Sequence, residues 1–252
     1  MPFTAIELRQ QGPVAFVRLA SGEKNVITPA LIAELNEALD RAAGQSNVIV
    51  LEGNEEYFCY GADFSGIAGQ VASGVKAEGN PAPLFDLWKR MTELPCAVIS
   101  HVRGAVNAGG VGFVAASDIV VASDKAAFSL SELLFGLMPA MVLPFLIRRI
   151  GFAHANYLTL TTRPVSAAQA RDWGLVDLLA DPSEPAVRQL AARLARTPKD
   201  GILRYKAYTA RLCPVDDASR AKAVAANLEV FSDETNLRRV ADFTLYGKYP
   251  WE

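Results

Sequence analysis

The chain has 252 residues, 51% hydrophobic and 21% charged, and its 25 basic and 27 acidic side chains leave a net charge of −2. That balance excludes a disordered, collagen-like or disulfide-scaffold protein, and it gives no overall field for nucleic acid or an anionic membrane. The length suits one core, or one core with an appendage. The longest stretch without Asp, Glu, Lys or Arg, Leu133 to Ile147, is fifteen residues and holds Pro139 and Pro144. A spanning helix needs roughly 20 apolar residues, so this segment is expected to be buried and no membrane anchor is expected. The opening MPFTAIELRQ lacks the basic-then-apolar order of an export signal. Cys59, Cys96 and Cys213 show no metal spacing, and His101 and His154 are the only histidines. A reducing cytoplasm and no metal site are therefore expected. There is no GxSxG elbow to support a serine triad.

In chain order, Ala15 to Leu19 reads as a strand and Pro29 to Ala43 as a helix, with Thr28 as its N-cap and Pro29 in its first turn. Asn47 to Leu51, Cys96 to His101, Ile119 to Ala122 and Ala127 to Leu130 read as further apolar strands. Gly66 to Pro83 reads as a loose, small-residue-rich loop near a site. Beyond about Ala153 the pattern is helical: Ala153 to Thr161, Ala167 to Asp172, Pro185 to Arg196, Asp200 to Leu212 and Asp216 to Phe231. Ser166 and Asp216 are expected to act as caps and Gly174 as a terminator. The fold class is α/β, a sheet covered by helices. Residues 1–180 form the α/β core with the site, and 181–252 a helical region.

Two glycine-rich segments follow strands: CYGADFSGI, Cys59 to Ile67, and VRGAVNAGGVGF, Val102 to Phe113. Strand ends of this kind expose backbone N–H groups suited to a phosphate or a developing oxyanion. Either segment alone is equally compatible with tight turns and close helix packing. Neither ends in the Gly-Lys-Ser/Thr of a phosphate-binding loop, and the approximate GxGxxG spacing in the second lacks the placement of a dinucleotide site.

Taken in order, GADF, GAVNAGGVGF with its SDI, and FSLSELLFGLMP resemble the crotonase (enoyl-CoA hydratase/isomerase) superfamily over nearly the whole chain. The resemblance implies a spiral of ββα units with C-terminal helices at a trimer interface. It also implies an oxyanion hole for a thioester enolate, built from the N–H groups of Ala62 and Gly109. Two fixed donors stabilise such charge without reorganising, each worth about 2.7–4 kcal/mol. Hydratases of this family usually carry two glutamates. One matches Glu132, whose apolar surroundings are expected to raise its pKa. The other position aligns with Gly112, which cannot transfer a proton.

FCYGADF, PLFDLW, SHVRGAVNAGGVGFVAASDI, FSLSELLFGLMPAMVLPFLIRRIG and the C-terminal YPWE are similar to a narrower group, the stand-alone dehydratases of polyketide β-branching cassettes. These remove water from a 3-hydroxy-3-methylglutaryl group on an acyl carrier protein, giving a 3-methylglutaconyl thioester. The implied partner is an acidic carrier protein, and the implied assembly is a homotrimer or a dimer of trimers. No cofactor is implied beyond the phosphopantetheine arm that holds the substrate. Glu132, Ala62 and Gly109 are the expected catalytic groups, with Asp63, Asn107, Gly110, His101 and Lys24 as substrate contacts. His101, Arg103 and Lys206 are candidates for holding the distal carboxylate. Lys24, Arg148, Arg149, Arg204, Lys206 and Arg211 are candidates for facing the carrier. Asp63 could equally cap a helix, and Trp88 reads as a packing aromatic. An isomerase or decarboxylase of the same fold, and a catalytically silent binding protein, are the alternatives.

Overall fold

The computed structural model describes residues 2–73 and 79–252. An antiparallel hairpin opens the chain, β1 (Ile6–Gln11) and β2 (Val14–Leu19), followed by α1 (Pro29–Gln45). The Thr28 hydroxyl accepts the Leu31 N–H at 3.1 Å, so α1 starts where its cap and first-turn proline place it. Then come β3 (Val48–Glu52), β4 (Tyr57–Cys59), α2 (Phe64–Ala72) and α3 (Ala82–Glu93). Next are β5 (Ala97–Val102), β6 (Ala105–Asn107), α4 (Gly109–Ala116), β7 (Ile119–Ala122) and β8 (Ala127–Ser129). A 3-10 turn, Glu132–Phe135, leads to α5 (Leu143–Thr161), which breaks helical geometry at Gly151. The chain ends with β9 (Val165–Ser166), α6 (Ala167–Asp172), β10 (Leu178–Leu179), α7 (Glu184–Leu194), α8 (Lys199–Leu212), α9 (Asp217–Ser232) and α10 (Glu234–Tyr246).

Two sheets share the work. A six-stranded sheet has the order β1-β2-β3-β5-β7-β10 and a four-stranded sheet the order β4-β6-β8-β9. Beyond the β1–β2 hairpin the larger sheet is parallel, as are the β4–β6 and β6–β8 pairs of the smaller. Each successive pair, β3 with β4, β5 with β6 and β7 with β8, therefore gives one strand to each sheet. That repetition is the expected ββα spiral. The larger sheet is apolar on both faces, as parallel strands under helices must be. Val98 and Val102 of β5 face the main core, whereas Ile99 meets Val187 and Ala191 of α7 on the other face.

One expectation changes, and two helices are added. The segment expected to be loose contains α2 and the start of α3, while its residues 74–78 lie outside the described residues. Gly66 and Gly69 disfavour a helix in isolation, but α2 packs along α10 and the tertiary contact prevails. The second glycine-rich segment is a helix from Gly109 onward, buried from Gly110 to Ala116. Such a helix is apolar all round because no face meets water. Finally, α10 follows α9 as a separate helix, started by Asp233, which accepts the Thr235 and Asn236 N–H groups. Among the described residues no helix is long and apolar enough to cross a membrane.

Candidate active site

Ala62, Gly109 and Glu132 lie two or three residues beyond the ends of β4, β6 and β8, three adjacent parallel strands of the smaller sheet. Topology alone gathers them, since loops leaving the carboxyl ends of neighbouring parallel strands open on one side. The loops are then tied together. Gly61, at φ +89, lies so close to the second loop that an added Cβ would sit 2.8 Å from Ala108 Cβ and 3.4 Å from Gly109 N. Ile27 N–H donates to the Gly61 carbonyl at 2.8 Å, and Tyr60 N–H to the Lys24 carbonyl at 3.1 Å. Buried Asn25 anchors that flanking segment by donating to the Tyr57 and Phe58 carbonyls at 3.1 and 3.2 Å.

Gly109 is the first residue of α4, where helical N–H groups have no intrahelical acceptor. Neither its N–H nor that of Ala62 has an acceptor among the described residues. The positive end of the α4 dipole adds to the field there. Ala108 precedes Gly109 at φ +49 and ψ −126, a conformation that favours glycine and costs of order 1–3 kcal/mol. Its N–H bonds the Ser129 carbonyl at 3.0 Å, which holds the turn against the end of β8. Asn107 completes the link. Its amide donates to Ser131 Oγ at 2.9 Å and accepts from Ser129 Oγ at 2.8 Å, so one side chain joins the second loop to the segment bearing Glu132.

Glu132 opens the 3-10 turn and is 9% exposed. Its Oε2 is buried with no hydrogen-bond partner among the described residues. Burial without a counter-charge pushes the carboxyl up from 4.5 to about 7, where it can take up and release a proton near neutrality. Phe135, in the same 3-10 turn, packs against Phe64 of α2 and Phe243 of α10 in an apolar cluster.

The remaining expected contacts divide. Lys24 is exposed, with its ammonium 5.5 Å from the Tyr60 ring centroid, at the rim beside the first loop. Asp63 accepts the Ser65 N–H at 3.0 Å and so serves as a helix-start residue for α2. Gly110 faces away from the site, because a Cβ there would run into the Cys59 carbonyl. Its lack of a side chain is a packing requirement.

His101 is not brought to the site. It projects from β5 toward α7, where Nε2 meets Ser183 Oγ at 2.8 Å and Nδ1 lies 3.4 Å from Glu52. Period-two alternation along β5 sets that direction, with Ile99 and His101 sharing a face. Arg103 is occupied by Glu55, Glu184 and the Gly53 carbonyl. Lys206 is neither a surface charge nor a substrate group. Its ammonium is buried, paired with Asp118 at 2.6 Å, and donates to the Met91 and Cys96 carbonyls at 3.2 and 2.8 Å. Together with Arg148 and Arg149 it lines a cavity of about 310 Å³ beside Ala115 and Ser117. That cavity lies at the opposite end of α4 from Gly109, about 12 Å away for eight residues at the helical rise.

Trp88 contributes more than sequence reasoning assigned it. Trp88 fills the space next to Gly112. A buried tryptophan looks like ordinary core in a sequence, and the PLFDLW segment alone does not say what its ring faces.

Comparison with known proteins agrees with this geometry. The enoyl-CoA hydratase/isomerase family model matches residues 9–244. The bacillaene synthase dehydratase PksH of Bacillus subtilis is 43% identical over 252 residues, covering 99% of this chain and 97% of that protein. The crystal structure of Bacillus subtilis PksH superposes with a TM-score of 0.95 at 42% identity, covering 99% of this chain and 100% of that one. The 2,3-dehydroadipyl-CoA hydratase of Escherichia coli is 30% identical over 193 residues, 75% of this chain and 74% of that protein. The chain belongs to the enoyl-CoA hydratase/isomerase family, and it is an enzyme of the hydratase/dehydratase type.

Proposed function

We propose that the protein is a dehydratase of polyketide assembly that removes water from a 3-hydroxy-3-methylglutaryl thioester carried on an acyl carrier protein. The observation that carries this reading is the buried Glu132 carboxyl, with its raised pKa and an Oε2 unpartnered among the described residues, beyond the same set of strand ends as two backbone donors that have no acceptor among those residues. Similarity to PksH along the whole chain supports the setting.

In this reading the Ala62 and Gly109 N–H groups hold the thioester oxygen as negative charge develops on it. Ionised Glu132 takes the C2 proton, the C2–H pair forms the C2=C3 bond, and the C3–O bond breaks. The proton on Glu132 passes to the departing hydroxyl, which leaves as water, and the carboxylate is restored. One carboxyl closes the cycle. Gly112 adds no second carboxylate to repel the free carboxylate of the substrate. Residues 1–180 form the catalytic body, and 181–252 supply its cover and, with α5, the contacts between subunits. Phe152, Leu160, Tyr205 and Leu212, all well exposed on α5 and α8, suit a homotrimer interface.

The test is to load 3-hydroxy-3-methylglutaryl on the carrier and follow its intact mass. Loss of one water, absent with Glu132→Gln, is the expected result. Loss of carbon dioxide would reassign the enzyme as a decarboxylase. An unchanged mass on an active carrier would favour an isomerase or a silent binding protein.

A further inference from the structure

Arg148 is the exception among the charges around the cavity at the C-terminal end of α4. That cavity, about 310 Å³, is walled by Arg148, Arg149, Asp118 and Lys206, with Tyr205 and Leu212 of α8 among its other walls. Two of its three cations are satisfied within the subunit. Lys206 pairs with Asp118 at 2.6 Å and donates to the Met91 and Cys96 carbonyls. Arg149 is held by the Asp177 carboxylate and by the Leu175 and Ser117 carbonyls at 3.0 and 2.9 Å. Those two pairs cancel in charge. The Arg148 guanidinium, half-buried on α5, has neither an ion pair nor a hydrogen-bond acceptor among the described residues. Burial lowers its pKa, and the Asp118 charge opposes that without bonding it. Arginine stays protonated in a folded protein, so a cation held this way is costly until an oxyanion meets it.

The walls of the cavity point to the source of that oxyanion. Tyr205 and Leu212 are 68% and 61% exposed and belong to the surface assigned above to contact between subunits. A small anion would answer the charge and leave those two side chains in water, whereas a neighbouring subunit covers both. We propose that a second copy of this chain places a carboxylate in the cavity, where it pairs with Arg148 and ties the subunits together. This rests on the reading that subunits meet through α5 and α8, and it is independent of the dehydration chemistry. The guanidinium can meet a carboxylate with two parallel N–H donors, the strong geometry for such a pair. In a ring of three the contact is heterologous, so the carboxylate comes from a different surface of the neighbour than the one that bears its own cavity.

Sedimentation velocity on the full chain, over a dilution series, tests this. The parent should sediment as a trimer. Arg148→Met should move the dissociation midpoint to concentrations about 30-fold higher or more, as expected when one partner of a desolvated charge pair is removed. Arg148→Lys, which keeps the charge and loses the two-pronged geometry, should fall between them. A folded Arg148→Met protein that holds together as tightly as the parent would overturn the proposal. Should that variant fail to fold, a crystal structure of the parent assembly decides: an Asp or Glu oxygen of a neighbour within 4.0 Å of the guanidinium, the ion-pair distance, supports it, and none there sinks it. Thermal stabilisation of the parent by inorganic phosphate that is lost in Arg148→Met would assign the cavity to a small anion instead. If the parent is trimeric and Arg148 is indifferent, this inference alone fails. If the parent stays monomeric at every concentration, the reading of α5 and α8 as an interface fails with it, while water loss from the carrier-bound substrate judges the dehydratase reading separately.

Discussion

The two ends of α4 are built to opposite rules. At the C-terminal end, the Lys206 ammonium is taken out of water, yet it pairs with the partly exposed Asp118 at 2.6 Å, and the Val98 N–H and the Met91 and Cys96 carbonyls use further bonding capacity. Ser117 bonds both Ser100 and the Phe113 carbonyl. At the N-terminal end, the Gly109 N–H has no acceptor among the described residues, and Glu132 Oε2, beyond the neighbouring strand, has no partner there either. Folded proteins pair the great majority of their buried polar groups. Polarity that is fully satisfied holds the fold together, whereas polarity left open at a strand-end site is available to a ligand. Lys206, Arg148 and Arg149, which look functional in the sequence, sit at the closed end.

Glu132→Gln tests the open end most severely. Turnover should fall by about 10²–10⁴, the range for losing a general acid–base group. In the parent enzyme the rate should rise with pH through about 7, as Glu132 ionises. Stability should move the other way. The native pKa of about 7 lies above the ordinary 4.5, so the folded chain retains a proton that the unfolded chain has lost, and stability declines between these pH values. Glu132→Gln removes that penalty, about 3 kcal/mol at full extent. The variant should therefore resist urea better than the parent at pH 8 and about equally at pH 4. Equal midpoints at pH 8 would mean that the carboxyl is not held in an apolar setting.

At the closed end the pattern should invert. Lys206→Met takes the counter-charge from a partly exposed Asp118 and the donor from the Met91 and Cys96 carbonyls, and stability should fall by about 1–3 kcal/mol. Pairing it with Asp118→Asn should recover most of that loss in urea unfolding. Turnover per folded molecule should hold steady; a drop in kcat that survives the double substitution would bring Lys206 back toward the chemistry.

Asn107→Ala probes the tie between the ends of β6 and β8. It leaves Ser129 and Ser131 without their shared partner, a cost of about 1–3 kcal/mol, and it frees the two loops to drift. A fall in kcat with little change in KM would show that it positions the catalytic groups, whereas a KM effect alone would make it a substrate contact. Ala108→Gly should give the smallest effect, a stability gain of up to about 1 kcal/mol by relieving positive φ at the oxyanion turn. Loss of stability would mean that the strain is balanced by buried methyl contacts.

Much of this molecule was legible along the chain because it depends on short-range chemistry. Thr28, Ser166 and Asp216 cap helices as expected, each accepting an N–H from the first turn. Ile119 to Ala122 is a strand, and Gly174 ends α6 at φ +80. The ordered glycine loops and Glu132 led to the family. Only the tertiary structure decided where side chains point and what they meet. Whether His101 faces α7 or the site depends on strand alternation read against a specific sheet face, and Lys206 meets Asp118 across 88 residues of chain. Glycine at 112 says only that a side chain is absent, whereas folding puts Trp88 against it. Local propensity acts over a few residues, but burial, charge pairing and open hydrogen-bonding capacity are properties of distant segments brought together.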